Sequence, residues 1–262
     1  MTTIDLSDSK EWYRTPEQAE AYLNLSSKSY AKGMLQAEDI LLKKNLEKIC
    51  DMSPEEICYI DLGPGNGKKT LLLCNALHKA KKIEAYVAVD IQPKFLKIAD
   101  KIKDKLSIES LKYETSFEKF LSYNNPYSNT PKFIYLGATF GNFNKDYIET
   151  RLSRYMESRD LVYLSAGLLP NNLSNLIKEY NSTLEMFSPV AEKYGLINGE
   201  LKIRFNEDNS SIEQIYENTE DTYILGISKK YSIPSFKTQV SKYFDGEYFI
   251  EGEHIGFLGK KK

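Results

Sequence analysis

The chain has 262 residues, 41% of them hydrophobic and 27% charged, with a formal net charge of −2. That length carries one sizeable core, alone or with a smaller lobe, and the charge balance excludes a general attraction to nucleic acid or anionic lipid. Three cysteines without CxxC spacing and two histidines argue against a disulfide framework, a zinc cluster or a multi-histidine metal site, so no metal is expected.

In chain order, residues 1–49 read as largely helical and polar, and SYAKGMLQAEDILLKKNLEKI is the clearest amphipathic run. Their opening, MTTIDLSDSKEWYR, lacks a basic segment followed by an apolar run, and no apolar stretch in the chain reaches membrane-spanning length. A cytoplasmic protein without a membrane partner is therefore expected.

From residue 57 the pattern changes to apolar runs alternating with amphipathic stretches. ICYIDL (57–62) reads as a strand, KKTLLLCNALHKA (68–80) as a helix, EAYVAVDI as a second strand and PKFLKIADKIKDKL as a second helix, with Pro93 near its start. A third short strand is expected near LKYETS, a fourth at 132–138 and a fifth at 160–167. This rhythm predicts an α/β fold, a doubly wound sheet of the Rossmann-like type. Residues 171–230 break it with a helical stretch, NLSNLIKEYNSTLEMFSPVAEKYG, and strands at KIRF, IEQIYE and TYILGISKKY. A helix at FKTQVSKYF and closing antiparallel strands in YFIEGEHIGFLG follow. The expected division is a core of residues 50–170 plus 231–262 and a smaller α+β lobe of 1–49 plus 171–230.

The turn after the first strand, GPGNGKKT, admits three ligands. A phosphate-binding P-loop needs GxxxxGK[ST]; here Gly63 to Gly67 is one residue short and Lys69 stands where Ser or Thr belongs, so that reading is rejected. A dinucleotide turn needs GxGxxG; Gly63 and Gly65 fit, but the third glycine would be Lys68. S-adenosylmethionine (SAM) asks only that backbone approach its methionine portion closely, which Gly63 and Gly65 allow, with Asp61 placed to meet the ammonium group. Asp90, at the end of VAVDI, stands where a carboxylate accepts from both ribose hydroxyls of an adenosine cofactor; this fits SAM and NAD alike, and a helix-capping role is the structural alternative. Ser116 and Phe117 are candidates for the adenine pocket. At the end of the fourth strand, IYLGATFGNF brings Gly137 and Gly141 close to a ligand and offers Asn142 as donor and acceptor beside a transferred methyl.

In this order and spacing, LGPGNGKKT, YVAVDI and YLGATFGNF resemble the histidine Nα-methyltransferase family of ergothioneine biosynthesis, over roughly residues 57–167 and more loosely in the flanks. The resemblance implies a SAM-dependent methyltransferase that yields S-adenosylhomocysteine (SAH). It implies cofactor contacts from Gly63, Gly65, Lys69, Asp90, Ser116, Phe117 and Gly137, and substrate contacts from Asn142 and Tyr30, the latter also a candidate proton acceptor. Ser116 departs from the family, which has Asp before that Phe. A second departure bears on the substrate: where the family has Glu-x-Ser-x-Lys-Phe, this chain reads Gly226-Ile227-Ser228-Lys229-Lys230-Tyr231. Ser228 is retained as a substrate contact, but the carboxylate expected to accept an imidazole N–H is gone, and the lost volume would admit a larger or less polar side chain.

The expected activity is N-methylation of a small amino-acid-like amine other than histidine, with no nucleic-acid partner. The competing readings are a peptide, protein or tRNA methyltransferase and a non-catalytic SAM-binding protein. A dehydrogenase is the weakest reading, because the third glycine is missing.

Overall fold

The computed structural model describes residues 2–25, 29–122, 127–143 and 147–262, with the backbone alone for 29–35. The chain opens with strand β1 (Thr2–Asp5), a 3-10 turn (Ser9–Tyr13), helix α1 (Pro16–Leu25) and the long helix α2 (Ser29–Met52). Strand and helix then alternate through β2 (Ile57–Leu62), α3 (Lys68–Lys79), β3 (Ile83–Asp90), α4 (Pro93–Leu96), α5 (Ile98–Leu106), β4 (Glu109–Glu114) and α6 (Phe117–Phe120). Next come β5 (Lys132–Leu136), a 3-10 turn (Ala138–Asn142), α7 (Tyr147–Tyr155) and β6 (Leu161–Gly167). The last part holds α8 (Leu173–Tyr180), a 3-10 turn (Asn181–Met186), α9 (Ser188–Lys193), β7 (Glu200–Asn206), β8 (Ser211–Glu217), β9 (Asp221–Lys229), α10 (Ile233–Val240), β10 (Phe244–Glu251) and β11 (His254–Lys261).

Seven strands form the main sheet in the order β10-β11-β6-β5-β2-β3-β4, and β11 alone runs against its neighbours. The near-continuous apolar runs of β2, β5 and β6 are buried along their whole length, as strands covered on both faces must be. Alternate residues of β2 divide between the faces. Cys58, Ile60 and Leu62 join Ile148 and Leu152 of α7 and Phe236 and Val240 of α10, while Ile57 and Tyr59 join Leu73 and Leu77 of α3 and Ile102 of α5. This is the doubly wound α/β sheet that the alternation predicted. Sheet order reverses between β2 and β5, so the crevice beyond their carboxyl ends is where such a sheet binds ligands.

A second sheet, β1-β9-β8-β7, meets the main one at the turn after β5, where Gly141 lies against the Lys229 backbone of β9. The first residues are thus not helical throughout: TTID pairs in parallel with β9, a long-range partnership that a four-residue polar segment does not announce. Trp12 and Leu25 pack with Met186, Phe187 and Leu225 in the core of this lobe. Helix α2 instead packs Leu42 and Ile49 on the main sheet beside Leu73 and Leu77. We therefore propose that the lobe boundary falls before α2 and not at residue 49. The β8–β9 register slips between Gln214 and Ile215, which pair with Gly226 and Ile224, leaving Leu225 as the extra residue of a bulge. Trp12 Nε1 donates to the Leu225 carbonyl at 2.9 Å and ties the N-terminal turn to that bulge.

Candidate active site

The turn after β2 bends because Gly63, Gly65 and Gly67 all have positive φ, of 86°, 53° and 72°. Gly67 caps α3, and a Cβ there would stand 2.6 Å from Ile98 Cδ1, so this glycine lets the helix start against α5. The third glycine absent from the GxGxxG register is supplied one residue earlier. Gly63 and Gly65 face a cavity of about 590 Å³, counting the part open to solvent, whose other walls include Tyr13, Asp90, Ser116 and Phe117. The structure therefore brings together five of the residues expected to hold the cofactor.

Asp90, at the β3 terminus, is 8% exposed and accepts from the Gln92 amide at 2.9 Å. Burial raises its carboxyl to about 7. Ser116 lines the cavity while its hydroxyl also caps α6 by accepting from the Lys119 amide at 3.3 Å. Phe117 closes the turn side, its Cζ lying 3.2 Å from where a Gly63 Cβ would be.

Three expected cofactor residues lie behind this wall. Asp61 is buried beneath the turn, where its Oδ2 accepts from the Thr70 hydroxyl at 2.5 Å and anchors the first turn of α3. It does not line that cavity, and its other oxygen, Oδ1, is buried without a hydrogen-bond partner. Lys69 pairs with Glu38 of α2 at 2.8 Å. Gly137 is pressed against the same carboxylate, since a Cβ there would meet Glu38 Oε1 at 2.5 Å.

Glu38 is the hub that sequence reading missed. It is wholly buried, and its Oε1 accepts from the Ser165 hydroxyl at 2.6 Å and from the Tyr135 hydroxyl and Ala138 amide at 3.0 Å each. Burial alone would neutralise it, but Lys69 and these donors outweigh that penalty and hold the carboxyl at about 2. One carboxylate thus joins α2, the start of α3 and the turn that carries Asn142.

A second cavity, of about 910 Å³ counted the same way, adjoins the first; Tyr13, Tyr22 and Thr139 line both. Asn142 and Ser228 line it. Gly141 lets the turn approach the lobe, since a Cβ there would lie 3.0 Å from the Lys229 carbonyl. Tyr180 Oη lies 2.8 Å from Ser228 Oγ, and Lys230 Nζ donates to Tyr180 Oη at 2.8 Å. Trp12, Leu25, Met186 and Phe187 add apolar surface to its lining. The walls carry Lys229 and Lys230 and no carboxylate among the described residues. Burial raises the phenols of Tyr13 and Tyr22, which remain donors at neutral pH. Tyr30 lies on α2 in the stretch whose side chains are outside the described residues.

The space expected beside Gly226 is filled. A Cβ there would lie 2.4 Å from Phe187 Cε1 and 2.5 Å from Gln214 Oε1, so the volume given up by the missing carboxylate is taken by these two side chains.

The family model for SAM-dependent, histidine-specific methyltransferases matches residues 33–243. The chain belongs to that family. It is accordingly a SAM-dependent methyltransferase, and the glycine turn, Asp90 and the adjoining aromatic wall form a cavity that fits such a cofactor. No curated protein sequence matches the chain. Among solved structures, the fold is similar to the PH0226 protein of Pyrococcus horikoshii OT3 (TM-score 0.56, 12% identity, 95% of this chain and 100% of that one). It is also similar to a putative methyltransferase of Thermobifida fusca YX (TM-score 0.55, 10% identity, 98% and 96%) and to DhpI in its SAM–HEP complex (TM-score 0.52, 10% identity, 95% and 94%). At these identities the likeness is one of fold, the Rossmann-like sheet of class I methyltransferases. Sequence reading also missed Tyr13, Tyr22, Tyr180 and Gln214; only the Trp12-Tyr13 pair, an aromatic doublet in a polar segment, offered a local signal.

Proposed function

We propose that this methyltransferase acts on the nitrogen of a small amino-acid-like amine other than histidine, in the cytoplasm. The observation that carries the reading is the second cavity, which joins the cofactor cavity at Tyr13, Tyr22 and Thr139 and is lined by both polar groups and apolar side chains. Asn142, on the turn after β5, is the group for the amine. The Lys230, Tyr180 and Ser228 donors suit a carboxylate. No helix among the described residues is long and apolar enough to cross a membrane, and no described group of three acidic, His or Cys side chains suits a metal.

SAM supplies an electrophilic methyl on a sulfonium whose thioether leaves readily. Gly63, Gly65 and Asp90 fix one side of the reaction and Asn142 the other, so orientation carries much of the catalysis. Trp12, Tyr13 and Tyr22 roof the junction. Gln92 Nε2 donates to the Tyr13 and Thr15 carbonyls at 3.0 and 3.2 Å, which holds that roof to the core and excludes water. Tyr13 and Tyr22 stay protonated at neutral pH, so neither takes the proton released by the amine.

Calorimetric titration tests the reading: SAM, SAH and NAD into the protein, then free amino acids into the SAH complex. The account expects SAH binding followed by a saturable amino-acid signal. SAH binding without response to any small amine would transfer the reading to a peptide, protein or tRNA substrate, or to a non-catalytic sensor.

A further inference from the structure

A third cavity, of about 640 Å³ counted as before, adjoins the second, since Gly167 and Lys230 line both. Its walls come from α2, the end of β6, α8 and the turn between β10 and β11. Charge is graded with depth. Glu179 and Glu253 belong to exposed residues, whereas Lys230 and His254 are 3% and 2% exposed. Burial, and then the Glu253 charge, raise the Glu179 carboxyl, while Lys230 acts in the opposite sense. Lys230 Nζ donates to Tyr180 Oη at 2.8 Å and would stand 2.9 Å from a Gly167 Cβ, so a glycine is what leaves room for the ammonium in the partition between the cavities. His254, lowered to about 4 by burial, is neutral at pH 7 and keeps one ring N–H. Its Nδ1 is buried without a hydrogen-bond partner among the described residues.

A buried ring nitrogen left without a partner costs stability unless a ligand satisfies it. A simple cation would suit the two outer carboxylates but would meet the Lys230 ammonium further in. A simple anion would suit Lys230 and His254 but would have to pass both carboxylates. A zwitterion carries the matching pair of poles. We infer that the third cavity is a second binding site, for a free α-amino acid whose carboxylate lies inward on Lys230 and His254 and whose ammonium lies outward on Glu179 and Glu253. Ala37, Leu168 and Leu176 give apolar surface for a small aliphatic side chain. Because Lys230 borders both cavities, a carboxylate bound in the third competes for the ammonium that donates to Tyr180, so the two sites are coupled. This site goes beyond the small-amine reading and does not depend on which group the enzyme methylates.

The chain has two histidines, and the other, His78, is exposed near the end of α3, so the NMR ring signals of His254 report on this cavity with an internal control. The test titrates the protein–SAH complex with leucine, with leucinamide, which lacks the carboxylate, and with 4-methylpentanoate, which lacks the ammonium. Leucine is expected to shift His254 saturably and leave His78 in place, and each analogue to bind about tenfold more weakly. In the Glu179→Gln/Glu253→Gln double variant the leucine affinity read at His254 should fall about tenfold, while SAH affinity stays within about twofold. Equal binding of the three compounds, no leucine binding, binding that leaves His254 unmoved, or an unchanged midpoint in the double variant would each overturn the inference. Failure of every small amine to accept a methyl group, with the His254 titration intact, would remove the small-amine reading and leave this site standing.

Discussion

Glu38→Gln separates charge from shape at the hub of the site. The amide keeps a carbonyl that can accept from Tyr135, Ser165 and Ala138, but it withdraws the partner of Lys69 Nζ, which lies 2.8 Å from Oε2 and whose side chain is only 22% exposed. A carboxyl held at about 2 instead of its ordinary 4.5 favours the folded state by about 3 kcal/mol at neutral pH. Stranding one member of a buried pair costs about 3–5 kcal/mol by general experience, so a loss near 3 kcal/mol is expected from urea unfolding at pH 7. The pH dependence has a definite sign. Because the folded carboxyl is depressed, its contribution is complete above about 4.5 and is lost as pH falls towards 2. His254, which burial lowers to about 4, adds a separate loss as pH falls from 6.5 to 4, because the unfolded chain takes up that proton first. The variant should lack the lower loss and show a deeper upper one, because the Glu38 carboxylate that favours protonated His254 is gone. A variant within 1 kcal/mol of wild type at pH 7, or one with the full acid limb intact, would refute the assignment of Glu38 as an ionised hub.

Three further outcomes follow from the geometry. Asp90→Ala should abolish measurable SAH binding, and wild-type affinity should rise as pH passes upward through about 7, where the buried carboxyl ionises to accept ribose hydroxyls; a flat calorimetric profile from pH 6 to 8 would contradict that role. Asn142→Ala should leave SAH affinity within about twofold and lower methyl transfer by about tenfold or more, while equal loss of both would take Asn142 out of the substrate cavity. Gly226→Ala should destabilise the fold by about 1–3 kcal/mol, because the added methyl meets Phe187 and Gln214 at 2.4 and 2.5 Å; unchanged denaturant midpoints would show that Phe187 moves aside and the space is open after all.

What could be read in the sequence was chemistry carried by consecutive residues. The glycine turn, the acid ending VAVDI and the GNF turn each specify local backbone or a strand end, and the structure places Gly63, Gly65, Asp90, Ser116 and Phe117 around one cavity and Asn142 and Ser228 around its neighbour. Asp61 and Lys69 share the first motif but point away from the cavity, towards Thr70 and Glu38, because alternate residues of a strand and opposite sides of a helix face different neighbours. The remainder depends on pairing between distant segments. Nothing in TTID tells that it will pair with β9, and nothing in IEQIYE singles out Gln214 until β8 pairs it with Gly226 of β9. The sequence likewise marks the absent carboxylate at Gly226, but not that Phe187, some 40 residues earlier, fills its place.

The most direct test of the central claim is to incubate the protein with SAM carrying an isotope-labelled methyl and a mixture of the free amino acids, and to follow the label by mass spectrometry. The account predicts label on the nitrogen of a free amino acid, dependent on Asp90 and Asn142. Label appearing only in added peptide, protein or RNA, or remaining in SAM under conditions where SAH binds, would contradict it.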